Sequence, residues 1–291
     1  MPWQAWVGLN IISGSVVAKI LIKRFSASPA RIQWLIGQYA FCALFSFLYL
    51  GFAGTKIEWP LFALFIALGM VSSLSTYAQW RAINMSMSVT SLCTPAGGLI
   101  ALLLGYLFLG EARYINTGVA AGLVITLIAV GIFTGTRIAP RHERIHPGRL
   151  IKYIAMMSIM AGAVIFLMRL FAQHGIPLPL YVTGWYTGAF IGSLLLYFLK
   201  GRNKERISLS LKDLGLLAIL GVSIWTAKTF LYVTLSQAPI TVVEPIFQVS
   251  EIIIPSLIGL YVFHEITLFN RLQRFSFVLG VIGSVLLAIS Y

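Results

Sequence analysis

Thr241 to Phe263 reads TVVEPIFQVSEIIIPSLIGLYVF. At about 1.5 Å per residue, a helix of this length crosses a hydrocarbon core of about 30 Å. The stretch nevertheless holds Glu244 and Glu251, and a charge at the bilayer centre costs about 2.5–3.5 kcal/mol even on a lenient scale. Residues 244, 248, 251 and 255 fall within about 40° of one another on a helix. That face reads Glu, Gln, Glu, Pro. It is excluded from lipid and must turn toward a bundle interior or a cavity.

The rest of the chain agrees with a membrane setting. Its 291 residues are 59% hydrophobic and only 10% charged, whereas soluble domains carry about 25% charged residues. The mean hydropathy is +0.91. Such a chain cannot cover a water-facing surface, and its long continuous apolar runs are helical spans rather than the short alternating strands of a barrel. The net charge of +13 does not indicate nucleic acid, because the basic residues sit in the links between apolar runs. Cys42 and Cys93 lie inside apolar segments and do not form a disulfide framework or a metal site. The N-terminal segment has its positive charges after its apolar run, the reverse of a secretory signal, and is read as a retained first helix.

Ten segments approach the length that a bilayer demands. They are 3–22, 31–52, 59–80, 88–109, 114–134, 150–169, 178–199, 212–235, 240–262 and 271–290. Of the 21 Lys and Arg, 17 fall in the odd-numbered links and the helix ends beside them. Lys56, Arg113 and Arg169 fall on the other side, and Lys228 lies within a segment. The positive-inside rule places the odd links in the cytoplasm and both termini outside it. Trp3 and Trp6 suit an outer interfacial anchor.

The two halves of the chain echo each other. Gly14–Pro29 reads GSVVAKILIKRFSASP and Gly162–Pro177 reads GAVIFLMRLFAQHGIP, 148 residues on. LFLGEARY closes the fourth segment and YVFHEITL the ninth, with Glu111 and Glu265 154 residues apart. Five spans per half force the second half to enter the membrane from the opposite side, an inverted repeat of 1–138 and 149–291. An all-α membrane protein of this design holds its substrate near the midplane and works by alternating access.

These features resemble the drug/metabolite transporter superfamily, EamA type. The match runs over nearly the whole chain, with YAQWRAINMSMS and CTPAGGLIALLLGYLFLGE in the first half fitting best. In the second half His264 stands where the family has Gly before the glutamate. The resemblance implies a bacterial inner-membrane secondary transporter, not an enzyme, without a nucleotide-binding domain. Export of a small metabolite is favoured over import or exchange. Partners are a small-molecule substrate and membrane lipids, with no nucleic acid, and the chain acts as a monomer or a homodimer.

Lys228, in IWTAKTFLYVTLSQAP, lies roughly 15 Å from the turn near Ala238. It shares its depth with Gln248, and Glu244 and Glu251 flank that level. A lysine suits a carboxylate and a glutamate suits an ammonium, so the group fits a zwitterion such as an amino acid. The same residues admit two other roles: a structural ion pair between the eighth and ninth segments, or a glutamate that carries a proton. No cofactor is expected beyond that coupling to protons. Trp225, Trp185, Tyr186, Tyr77, Gln79 and Asn10 complete the candidate site, as aromatic and polar groups facing a cavity. Tyr181 and Trp80 belong to the same aromatic sets, and Thr94-Pro95 with Gly97-Gly98 either loosens the fourth segment beside a cavity or packs it closely. His142 and His146 lie in a basic link that fits a solvated loop near lipid headgroups better than a metal site. A membrane enzyme or lipid-handling protein is the rival class, for which His264-Glu265 and that loop are the only interfacial groups.

Overall fold

The computed structural model describes residues 2–28, 30–87, 90, 93–110, 116–135, 147–200, 210–241, 243, 244, 247, 250, 254, 258 and 271–290. No strand occurs among them. The helices are α1 (Trp3–Ser26, π-helical over Ile11–Ala18), α2 (Arg31–Ala53), α3 (Trp59–Met85), α4 (Pro95–Phe108), α5 (Thr117–Gly135), α6 (Pro147–Gln173), α7 (Leu178–Lys200), α8 (Leu211–Gln237) and α9 (Arg271–Ile289), the last being the tenth expected segment. Residues 240, 241, 243, 244, 247, 250 and 254, which belong to the ninth, are also helical. Among the described residues, α1, α2, α3, α6, α7 and α8 are each long and apolar enough to cross a membrane. The chain is therefore an all-helical, membrane-embedded protein.

The surface supports this reading. Leu44, Phe47, Leu48 and Phe52 form an outward apolar stripe on α2, with Phe52 89% exposed. Helices that are apolar all round are stable in lipid, where the apolar face needs no cover. Proline and glycine punctuate the ends. Pro95 and Pro147 open α4 and α6, where a missing N–H costs nothing. Gly54, Gly110 and Gly175 follow α2, α4 and α6 with φ of 60°, 65° and 68°, the left-handed stop that only glycine adopts without strain. All three follow even-numbered helices.

The chain divides into two compact units, Met1–Trp80 with Met168–Gln237 and Arg81–Leu167 with Ala238–Tyr291. Each draws on both sequence halves.

In the first unit, α2 runs parallel to α8. Gly37 meets Leu217, Phe41 meets Gly221, and Phe45 and Tyr49 meet Trp225. α3 runs parallel to α7, since Phe65, Ile66 and Met70 face Gly184, Gly188 and Gly192 in that order. This seam is close: a Cβ at Gly188 would overlap the Ile66 carbonyl, and one at Gly69 would overlap the Trp185 carbonyl. Small residues allow such approach between membrane helices, where packing rather than water drives association. α1 is antiparallel to α8, with Trp6 against Phe230 at 5.4 Å between ring centroids and Gly14 against Ala227. Trp6 thus packs onto a neighbouring helix, and its buried Nε1 has no partner among the described residues.

In the second unit, α5 is antiparallel to α9. Asn116 donates to the Ser290 carbonyl at one end, and Ala129 meets Gly280 farther along. Asn116 also caps α5, its Oδ1 accepting from the Val119 N–H at 2.8 Å. α4 is parallel to α6, where Gly97 packs on Ser158 and Ala161, and Phe108 meets Phe166. Gly97 thus serves close packing. Arg81 lies over the Tyr153 ring at 5.6 Å.

Candidate functional site

The centre of the first unit is an aromatic cluster contributed by four helices. Tyr181 of α7 contacts Phe65, Phe171, Trp185 and Tyr232, with centroid separations of 5.3, 6.1, 5.6 and 4.9 Å. Tyr181 and Trp185 stand one turn apart on α7, and both are fully buried. The Gly69 contact seats the Trp185 backbone directly on α3.

Lys228 of α8 joins this cluster. Its Nζ lies 4.2 Å from the centroid of the Trp185 ring and 4.0 Å from Sδ of Met168. It is nine residues before the end of α8 at Gln237, or about 13 Å along the axis. Among the described residues no carboxylate pairs with it, and the side chain stays partly accessible. A cation held by a ring face is stabilised by about 2 kcal/mol when desolvated, well short of what an ion of opposite charge offers at close range. Among the described residues the ammonium thus has a ring face and a thioether as neighbours inside the span.

The turn of α8 that carries Lys228 is held from two sides. Asn10 donates from Nδ2 to the Ala227 carbonyl, just where α1 enters its π-helical stretch. Such stretches often mark functional sites because they break the regular ladder. From α7, Tyr186 donates to the Ile224 carbonyl at 3.0 Å, and its ring lies 6.4 Å from that of Tyr39. Tyr39 in turn donates to Thr76 Oγ1 at 2.6 Å. Arg169 donates to the Leu235 carbonyl and Tyr232 to the Ile176 carbonyl, tying α8 to the α6–α7 turn.

Trp185 touches the lysine directly. Asn10 and Tyr186 grip the backbone beside it. Trp225 turns toward α2, where it contacts Phe45 and Tyr49, because its position lies on a neighbouring face of α8. Tyr77 and Gln79 are half-buried on α3, eight and ten residues beyond Gly69, which marks the level of Trp185. They therefore stand about 12–15 Å farther along the helix. Glu244 is buried in the second unit, at 6% exposure. Gln248, Glu251, Glu111, Glu265, His142, His146 and His264 lie outside the described residues.

In sequence, Met168 and Cys42 carry no mark of a site, because both look like ordinary apolar filling. Cys42 is fully buried, donates to the Gly221 carbonyl at 3.3 Å, and lies within electrostatic reach of Lys228. The one available signal was spacing: Gln38, Cys42 and Phe45 recur at helical intervals on one face of α2.

No family model and no curated protein matches the chain. Solved structures do match. One, described as "Crystal structure of protein", superposes with a TM-score of 0.68 over 99% of this chain and 96% of that one, at 11% identity. At that identity the similarity is one of fold, and it extends across the whole chain.

Proposed function

We propose that the chain is a ten-span secondary transporter of the EamA type in a bacterial inner membrane. It moves a small polar or zwitterionic metabolite, amino acid-like, by alternating access of two inverted five-helix repeats, with export favoured. Lys228 receives the acidic group of the cargo. The observation that carries this reading is the lysine itself: a cation in the middle of a span, partly accessible, with a ring and a thioether for neighbours and no carboxylate among the described residues. A purely structural lysine would be expected to satisfy its charge, because removing one partner of a buried pair leaves a costly bare ion.

Helix directions support the span count. Parallel α3 and α7 require an odd number of crossings between them, which α4, α5 and α6 supply only if the 14-residue α4 crosses too. Antiparallel α5 and α9 require a crossing between α8 and α9, where Thr241–Phe263 stands. Compact units that each take helices from both halves fit interleaved repeats.

The test is reconstitution in vesicles with a panel of amino acids and related metabolites, with and without a pH gradient. Lys228→Met and Glu251→Gln are expected to abolish substrate movement while leaving a folded, extractable protein. Normal transport by both variants would return these residues to a structural role.

A further inference from the structure

Gln38 of α2 is 1% exposed, and neither Oε1 nor Nε2 has a hydrogen-bond partner among the described residues. One turn earlier on the same face, the buried Nε1 of Trp34 is also unpartnered. An amide enclosed without partners is expensive, since it gives up its bonds to water and receives none in return. Native proteins leave few such groups, and each calls for a reason.

The surroundings of Gln38 supply one. The Gln38 backbone carbonyl lies against Gly221 of α8, which would place a Cβ 3.4 Å from that oxygen. One turn on, Cys42 donates to the Gly221 carbonyl and lies within electrostatic reach of Lys228. Gly221 precedes Lys228 by seven residues, about 10 Å along α8. Gln38 and Cys42 thus border the seam between α2 and α8, and Lys228 stands farther along α8 on the face turned to Trp185 and Met168. Gly37 and Gly221 carry no side chain into that seam, so the helices meet there through Leu217 and Phe41. Among the described residues, the contacts shown to close it at this level are apolar ones and a thiol hydrogen bond.

We propose that the α2–α8 seam parts in a second conformation of the protein and exposes Gln38 to the cargo path, where its carboxamide binds a hydrogen-bonding group of the cargo. This rests on the transport reading of Lys228. A carboxamide presents a donor and an acceptor side by side, so the cargo is a small carboxylate with a second polar group, met by Gln38 on the α8 N-terminal side of the lysine. The enclosed amide destabilises the closed seam and keeps the second conformation within reach.

The chain carries its own reporter. Cys42 lies in the seam and Cys93 in the other unit, and both are free thiols. The full-length protein in lipid vesicles would be treated with N-ethylmaleimide, and modification of each cysteine followed by peptide mass. Cys42 is expected to react in the folded protein. Gln38→Met, which removes the enclosed amide at similar volume, is expected to slow that reaction by about tenfold or more and leave Cys93 unchanged. Gln38→Leu should act in the same direction, guarding against a fault of one variant. A Cys42 that never reacts, a rate unmoved by both substitutions, or a slowing shared by Cys93 would each overturn the proposal. No cargo is needed for the labelling, so a failure of all uptake assays would sink the transport reading separately.

Discussion

The ammonium of Lys228 rests 4.2 Å from the centre of the Trp185 indole, on a ring that is 1% exposed. Two helices, α8 and α7, thereby share a charge inside a membrane span without an ion pair among the described residues. The indole face offers negative quadrupole density, which is the best that an apolar side chain can do for a cation.

This contact predicts a measurable coupling. In thermal unfolding in detergent micelles, a double-mutant cycle of Lys228→Met and Trp185→Leu should return a coupling of about 0.5–2 kcal/mol. Trp185→Phe should retain part of it. A coupling of essentially zero would mean that the ring is only filler beside the lysine.

The α3–α7 seam makes a sharper demand. Gly69→Ala and Gly188→Ala each place a methyl group on a backbone carbonyl of the facing helix. Both should lower stability by about 1–3 kcal/mol or more, the range for overpacking a tight interior. Gly51→Ala, with open space around the added carbon, should be neutral or mildly stabilising. Melting curves of the three variants decide the matter. Equal melting temperatures would refute the geometry of the seam. Gly69→Ala should also disturb Lys228, because Trp185 sits on that glycine.

The proposed ten-span topology assigns the links to two sides of the membrane. Tags or single cysteines placed near Gly54, Asn116 and Gly175 are expected to be accessible from one side of the membrane, together with the C-terminus. On the proposed orientation, which follows the positive-inside rule, that side is external. If α4 failed to cross, Asn116 would report from the side opposite to Gly54. A cytoplasmic signal from a C-terminal reporter would reverse the assigned orientation.

Asn116 combines two tasks in the second unit. It caps α5 through the Val119 N–H and holds the end of α9 through the Ser290 carbonyl. Asn116→Ala should cost about 1–2 kcal/mol, with Asn116→Asp restoring the cap alone and about half of the loss. An Asp variant that melts like the Ala variant would show that the cap contributes little.

The sequence by itself determined the helical class, the membrane setting and the approximate limits of most spans. The bilayer selects spans by length and apolarity, and both are local properties that can be counted along a chain. Expected limits such as 31–52 and 178–199 meet the observed Arg31–Ala53 and Leu178–Lys200 within a residue. α1, α3 and α6 extend several residues past their apolar runs, because a helix does not stop where hydrophobicity does. Lys228 was legible too, since a lone lysine in an apolar segment is conspicuous.

Only the tertiary structure decided what surrounds that lysine. Trp185 is 43 residues away in sequence and Met168 is 60 away, and their meeting depends on how closely α3, α7 and α8 pack. That closeness is set by glycines whose importance lies in what a missing side chain lets the neighbouring backbone do. The same packing turned Trp225 toward α2, although it stands one turn from Lys228, and enclosed the Gln38 amide. Helical periodicity assigns a residue to a face of its own helix, but the identity of the facing helix is a property of the assembled chain.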